Sequence, residues 1–276
     1  MEKYSTIIRK ADDIPIVEEI PVEIKGKKSG YYAILEKGTN DTLGIHTQHY
    51  NLVQNRDIYS IVEGLKDFDI LDTRLYLHGK VMMMEVAKKG EKDIAPTGDK
   101  NDLFSPRTRI FNSYNGSYSV NIQAFALRLV CKNGMVAPVK QNIYRKIHLG
   151  NEINKKDLVD AINSTKDIWN ASRERIVQST KFVIEPQVAL FHLDRFPKKY
   201  RDLALKNLEK KDTLYNIWNE LTRIVTHVMN TRVNQNVQVS QQQRVNKIFD
   251  LLNMNEKQMA KLKKELEEFN LKEVKQ

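Results

Sequence analysis

Between two runs of strand-forming residues, Arg107 to Tyr114 and Ser117 to Val130, stands the dipeptide Asn115-Gly116. Asn-Gly is the strongest short-range hairpin signal a sequence carries, because a type I′ turn needs positive φ at both central residues. A hairpin here commits the middle of the chain to antiparallel sheet. Along the second run Val120, Ile122, Ala124, Ala126 and Arg128 point one way, and Asn121, Gln123, Phe125, Leu127 and Leu129 the other. Neither face is cleanly polar, which is the pattern of a strand well inside a sheet.

The same reading extends outward. Tyr31 to Glu36 and Leu43 to Thr47 form a hairpin around Lys37 to Asp41, and Ile70 to Leu77 pairs with Lys80 to Lys88 about His78-Gly79. Asn55 is placed to cap a helix from Arg56 to Leu65. The first 30 residues read as an arm with one short strand. Gly90 to Pro106 reads as a flexible loop able to close over a ligand. Lys132-Asn133-Gly134 is a further turn, leading to strands at Met135 to Val139 and Asn142 to Leu149.

After Gly150 the period becomes helical. Leu158, Ile162, Thr165, Trp169, Ser172, Ile176 and Val183 make one stripe on a helix that Pro186 must end. Helices follow at Pro197 to Lys210, Thr213 to Thr231 with Asp212 as cap, Ser240 to Leu252, and Glu256 to Phe269. The last carries Met259, Leu262, Leu266 and Phe269 on one face, suited either to a lid on the helical core or to self-association into a homo-oligomer. Asn234 to Gln243 is an Asn/Gln-rich loop. The expected class is α+β, with an antiparallel, hairpin-rich N-terminal half packed with a helical C-terminal half. The expected divisions are 1–30, 31–150 and 151–276, the last two open to being one continuous domain.

Charge narrows the partners. Of the net charge of +10, most lies late: residues 1–140 hold 20 basic against 18 acidic side chains, and 141–276 hold 25 against 17. From Leu221 to Phe249, Arg223, Arg232, Arg244 and Lys247 face no acidic residue in sequence. Such a surface attracts polyanions, nucleic acid first among them, or else is a solvated helical face. A lone cysteine, Cys131, forbids an internal disulfide and a thiolate cluster within one chain. With no signal-peptide pattern and no apolar run of membrane-spanning length, the expectation is a cytoplasmic protein, in the host cytoplasm if phage-encoded, without a membrane partner.

Catalytic motifs are scarce. Neither G-x-x-x-x-G-K-[ST] nor G-x-G-x-x-G occurs. Met82, Met83 and Met84 alternate across a strand and so cannot converge on copper(I). His46 and His49 are separated so that a strand points them to opposite faces. Glu85, with Lys88 and Lys89 beyond Ala87, is the nearest thing to a two-metal nuclease pattern, with the lysine displaced by one position. Ser113, Ser117 and Cys131 have no evident base beside them. No cofactor, metal ligand or catalytic residue is assigned.

Three segments, read together, resemble the phage- and plasmid-type proteins that carry domain of unknown function 932. They are Leu43-Gly44-Ile45 through Tyr50 to Asn55; Asn112-Ser113-Tyr114-Asn115-Gly116-Ser117 continuing to Arg128-Leu129-Val130-Cys131-Lys132-Asn133-Gly134-Met135; and Thr213-Leu214-Tyr215 through Trp218-Asn219, Leu221-Thr222 and His227. The resemblance implies an association with mobile elements and the handling of single-stranded DNA in annealing or recombination, and it carries over no catalytic residue.

Single-strand binding needs cations along the phosphates and aromatic faces for the bases. The candidates are Arg107, Arg109, Tyr114, Tyr118 and Arg128 in the hairpin, and Lys140, Tyr144, Arg145 and Lys146 beyond it. The function expected first is single-stranded nucleic-acid binding, DNA favoured. The alternatives are a metal-dependent nuclease built on Glu85 and a non-enzymatic interaction or inhibitor protein acting through its C-terminal helices.

Overall fold

A computed structural model describes residues 5–100, 102–128, 136–138, 144–148, 154–193, 196–229, 241 and 244–273. The strands of the larger sheet are β1 (Ser5–Ile7), β5 (Phe68–Tyr76), β6 (Val81–Lys88), β7 (Phe104–Ser113), β8 (Val120–Arg128) and β10 (Tyr144–Lys146), neighbours in that order, with β9 (Val136–Pro138) paired to β8. A second sheet joins β2 (Val17–Ile24), β3 (Lys27–Glu36) and β4 (Thr42–Thr47). The helices are α1 (Asn55–Glu63), α2 (Lys155–Ser179), α3 (Pro186–His192), α4 (Lys198–Asn207), α5 (Leu214–Arg223) and α6 (Glu256–Glu273). The class is α+β, strand-rich first and helical later. The chain divides into two compact units: Met1–Asp93, Ser105–Ala126 and Val139–Trp169 in the first, Ile94–Phe104, Leu127–Pro138 and Asn170–Gln276 in the second.

In the first unit, alternation along the strands sends one side chain in two to the core. Met82, Met84 and Ile110 are fully buried with Ile58 and Val62 of α1 and Leu158 and Ile162 of α2. Met83, between the two buried methionines, points to the opposite face, as the period of a strand requires. Residues 5–30 hold more than an arm with one short strand: β1 pairs with β5, and β2 with β3.

The hairpin of β7 and β8 forms, but its turn differs from the expected one. Its connection spans Tyr114 to Ser119, and of these residues only Gly116 has positive φ. Ser113 closes the loop instead: its Oγ accepts from Tyr118 N at 2.9 Å and donates to Tyr118 O at 2.8 Å, while Asn115 Oδ1 accepts from Ser117 N at 3.1 Å. Consecutive positive φ values fall instead at Leu77-His78-Gly79, where a turn is expected, and at Lys25-Gly26, between Ile24 and its partner Lys27. Lysine is not a residue that advertises such a turn.

In the second unit Phe104, Tyr215, Trp218 and Phe249 pack as an aromatic nest, with Phe104 and Trp218 centroids 5.9 Å apart and Trp218 and Phe249 5.4 Å apart. The later part of the Gly90–Pro106 loop is anchored here rather than free to close over a ligand: Ile94 and Phe104 exchange backbone hydrogen bonds, and Tyr215 Oη donates to the carboxylate of buried Asp102. Thr213 caps α5 by accepting from Asn216 N, and Asp212 Oδ1 accepts from the Asn216 side chain at 2.7 Å. The α2 helix stops at Ser179, so Val183 leaves the helical stripe and lies exposed in a short strand. Pro186 then opens α3, a helix the periodicity does not announce, because proline fits the first helical turn, where an N–H would lack a partner. The apolar face of α6 meets α3, with Phe191 and Phe269 centroids 5.7 Å apart. No helix among the described residues is long and apolar enough to cross a membrane.

Candidate nucleic-acid interface

The two halves of β7 have different tasks. Its end, Asn112-Ser113-Tyr114, turns inward. Asn112 Nδ2 donates to Val53 O at 3.0 Å and to Asn55 Oδ1 at 2.8 Å, and Tyr114 Oη accepts from Asn55 N at 2.9 Å. Tyr50 Oη donates to Ser113 O at 3.1 Å. A Cβ on Gly44 would stand 1.9 Å from Tyr114 O, so β4 approaches the hairpin as only glycine permits. Burial pushes the phenols of Tyr50 and Tyr114 well above the usual tyrosine range. These residues clasp the hairpin to the segment entering α1.

The rest of β7 alternates outward. Arg109 lies beside Glu85 of β6, which lies beside Asp72 of β5; in the next row Phe111 lies beside Met83 and Arg74. All six are partly exposed, whereas Ile110, Met84 and Thr73 between them are buried. Tyr118, 41% exposed, stacks on Phe111 with centroids 5.1 Å apart and planes 11° apart. Arg145 of β10, exposed, donates from Nε to Ser119 Oγ at 3.3 Å. Arg109 donates to Glu85 through both Nε, at 3.0 Å, and a terminal nitrogen.

The candidates therefore separate. Arg109 and Tyr118 share the outer face of the sheet, and Arg145 is tied to Ser119 of the same hairpin loop. Arg107 lines a small depression with Lys88, Glu91, Lys166 and Trp169. Tyr114 is 2% exposed and cannot offer its ring to a base, a correction that follows from its role as acceptor for Asn55. Tyr144 packs against the core, and Lys146, two residues on, shares its side of β10, opposite to Arg145. The side chain of Arg128, and Lys140, Cys131, the Lys132-Asn133-Gly134 turn and Asn234 to Ser240, lie outside the described residues.

Met83 and Arg74 escape a reading of sequence because strand register, not local pattern, gathers them beside Phe111. Alternation from Arg107 and Arg109 does reach Phe111. Glu85, the acid a nuclease would need, is engaged by Arg109. His46 lies between the rings of Tyr32, at 6.0 Å, and Tyr50, at 4.4 Å, and Tyr50 in turn stacks on His148 at 4.8 Å. Among the described residues no three His, Cys, Asp or Glu side chains are grouped to hold a metal ion.

Fold and surface together define an α+β protein with an antiparallel sheet whose outer face carries an aromatic pair bordered by arginines. The chain belongs to the family described as Domain of unknown function (DUF932), which matches residues 42–249 of the 276. No curated protein and no solved structure matches it. Within the matched range, several described residues are fasteners of the fold. Gly44, Asn55, Asn112 and Tyr114 form the clasp; Tyr215 holds Asp102, Trp218 Nε1 donates to Asn246 Oδ1 at 3.0 Å, and Thr222 Oγ1 donates to Trp218 O at 2.8 Å.

Proposed function

We propose that the protein binds single-stranded nucleic acid on the outer face of its larger sheet, in the service of a mobile element. The observation that carries this reading is the Phe111–Tyr118 stack. An aromatic pair already aligned on a sheet, with its outer member 41% exposed, offers a ring face to an unpaired base at little ordering cost. Arg145, on the adjoining β10, supplies a cation for a neighbouring phosphate. A duplex keeps its base faces stacked inside the helix, so the arrangement favours single strands.

Fluorescence anisotropy with single- and double-stranded oligonucleotides across a salt series tests it. Single strands bind more tightly, and Y118A weakens that binding about tenfold, from a stacking contribution of ~1–3 kcal/mol per base. R145Q lowers the slope of log affinity against log salt by roughly 0.7, the value for one phosphate contact on a single strand. Equal affinity for duplex, or a Y118A protein that binds as the wild type does, would overturn the assignment.

A further inference from the structure

The arginines of the outer face do not meet solvent alone. Arg109 donates to Glu85 across the β6–β7 pair, and Arg74 Nε donates to Asp72 Oδ2 at 2.7 Å within β5. Neither pair is sealed: the side chains are 23% and 17% exposed in the first, 30% and 28% in the second. Tyr76 lies within electrostatic reach of all four; its phenol is raised chiefly by burial, with the two cations and two anions acting in opposite directions. A track built for phosphates alone would present its guanidinium groups unopposed. Here Arg74 and Arg109 are each met by a carboxylate, and carboxylate and phosphate compete for the same planar set of donors.

We infer that Glu85, with Asp72 in the same part, is a specificity-determining residue that keeps base-free polyanions off the nucleic-acid face. The inference rests on the function proposed above. A bare polyanion gains Arg109 only by displacing Glu85, and it has nothing to place on Phe111 and Tyr118. A single strand stacks a base there, and that contact offsets the displacement. The carboxylates act by opposing the wrong ligand rather than by attracting the right one.

The test compares wild type, E85Q and E85Q/R109Q for binding to a homopolymeric DNA single strand and to inorganic polyphosphate of matched charge. D72N, which releases Arg74 from its carboxylate, serves as the second variant should E85Q fold poorly by thermal melting. The wild type prefers the oligonucleotide. E85Q binds both ligands more tightly, polyphosphate the more so, and the preference shrinks roughly three- to tenfold, as the release of one charge-assisted pair allows. Adding R109Q removes the gain. Wild-type binding with an unchanged preference in E85Q, or in D72N if it replaces E85Q, overturns this inference alone. Absence of oligonucleotide binding by the wild type overturns the proposed function and this inference with it.

Discussion

Tyr114 and Tyr118 are four positions apart in the same hairpin loop, and their environments make them opposites. Tyr114 is buried as the acceptor for Asn55 N, and Tyr118 lies out on Phe111. Y114F keeps the ring but leaves a buried backbone N–H without a partner, so it lowers unfolding free energy by about 1–3 kcal/mol in urea melts while oligonucleotide affinity stays unchanged. His148 is a second residue whose burial has a measurable consequence. Its Nδ1 lies 3.1 Å from Asn51 O, and burial lowers its pKa below the ordinary histidine value against a smaller raising effect of that contact. As pH falls through about 6.5 the unfolded chain takes up a proton that folded His148 refuses, so its contribution to stability, whole at neutral pH, is lost on acidification. The melting temperature therefore falls between about pH 7.5 and 5.5, and H148N reduces the size of that fall. A fall of equal size in H148N would place the effect elsewhere.

At the scale of elements, strand pairing was the most readable part of the chain. The alternation in β6 and β7 and the hairpin pairs β3–β4 and β5–β6 follow from local pattern, since side-chain direction in a strand repeats every second residue. The turns are legible only in part: the expected His78-Gly79 turn joins β5 and β6, whereas Asn115-Gly116 is used in a longer loop closed by the Ser113 hydroxyl and Lys25-Gly26 turns without a local signal. Helix ends misled for a related reason. Pro186 does not end α2, which stops at Ser179, but opens α3. Of the candidate site, residue type names Arg109, Tyr118 and Arg145, and alternation along β7 reaches Phe111; that Glu85 opposes Arg109 needs the register between strands. The close approach of β4 to the hairpin gives a test at this scale. G44A must move the Tyr114 carbonyl, so it costs at least about 2 kcal/mol of stability, read in the same urea melts.

Over the whole molecule, net charge along the sequence does not by itself say which cations are unopposed. Arg223, counted among the unopposed cations of the C-terminal half, is held by Glu220 at 2.6 Å, one turn earlier on its own helix. Meanwhile the aromatic pair lies on a sheet in the half with nearly balanced charge. The C-terminal helix has a structural place: α6 covers Leu190 and Phe191 of α3, and Lys263 reaches Glu185 at 3.6 Å. A chain ending at Asn253 melts several degrees lower, because these apolar side chains lose their cover, but it retains its affinity for single strands. Loss of binding on that truncation would move the interface to the second unit.

The clasp of Gly44, Asn55, Asn112 and Tyr114 also governs what descent can preserve. Its members are held to one another by hydrogen bonds and close packing, and Asn55, Asn112 and Tyr114 leave almost nothing of themselves for a ligand to touch. Selection for a stable chain is enough to keep them, whatever the ligand. Phe111, Tyr118 and Glu85 point away from the clasp, so they can drift or be reselected without loosening it. Two chains can thus share these four residues and differ in what they bind. Kinship traced through the clasp groups chains by scaffold; grouping them by ligand requires comparing the outward positions of β5, β6 and β7.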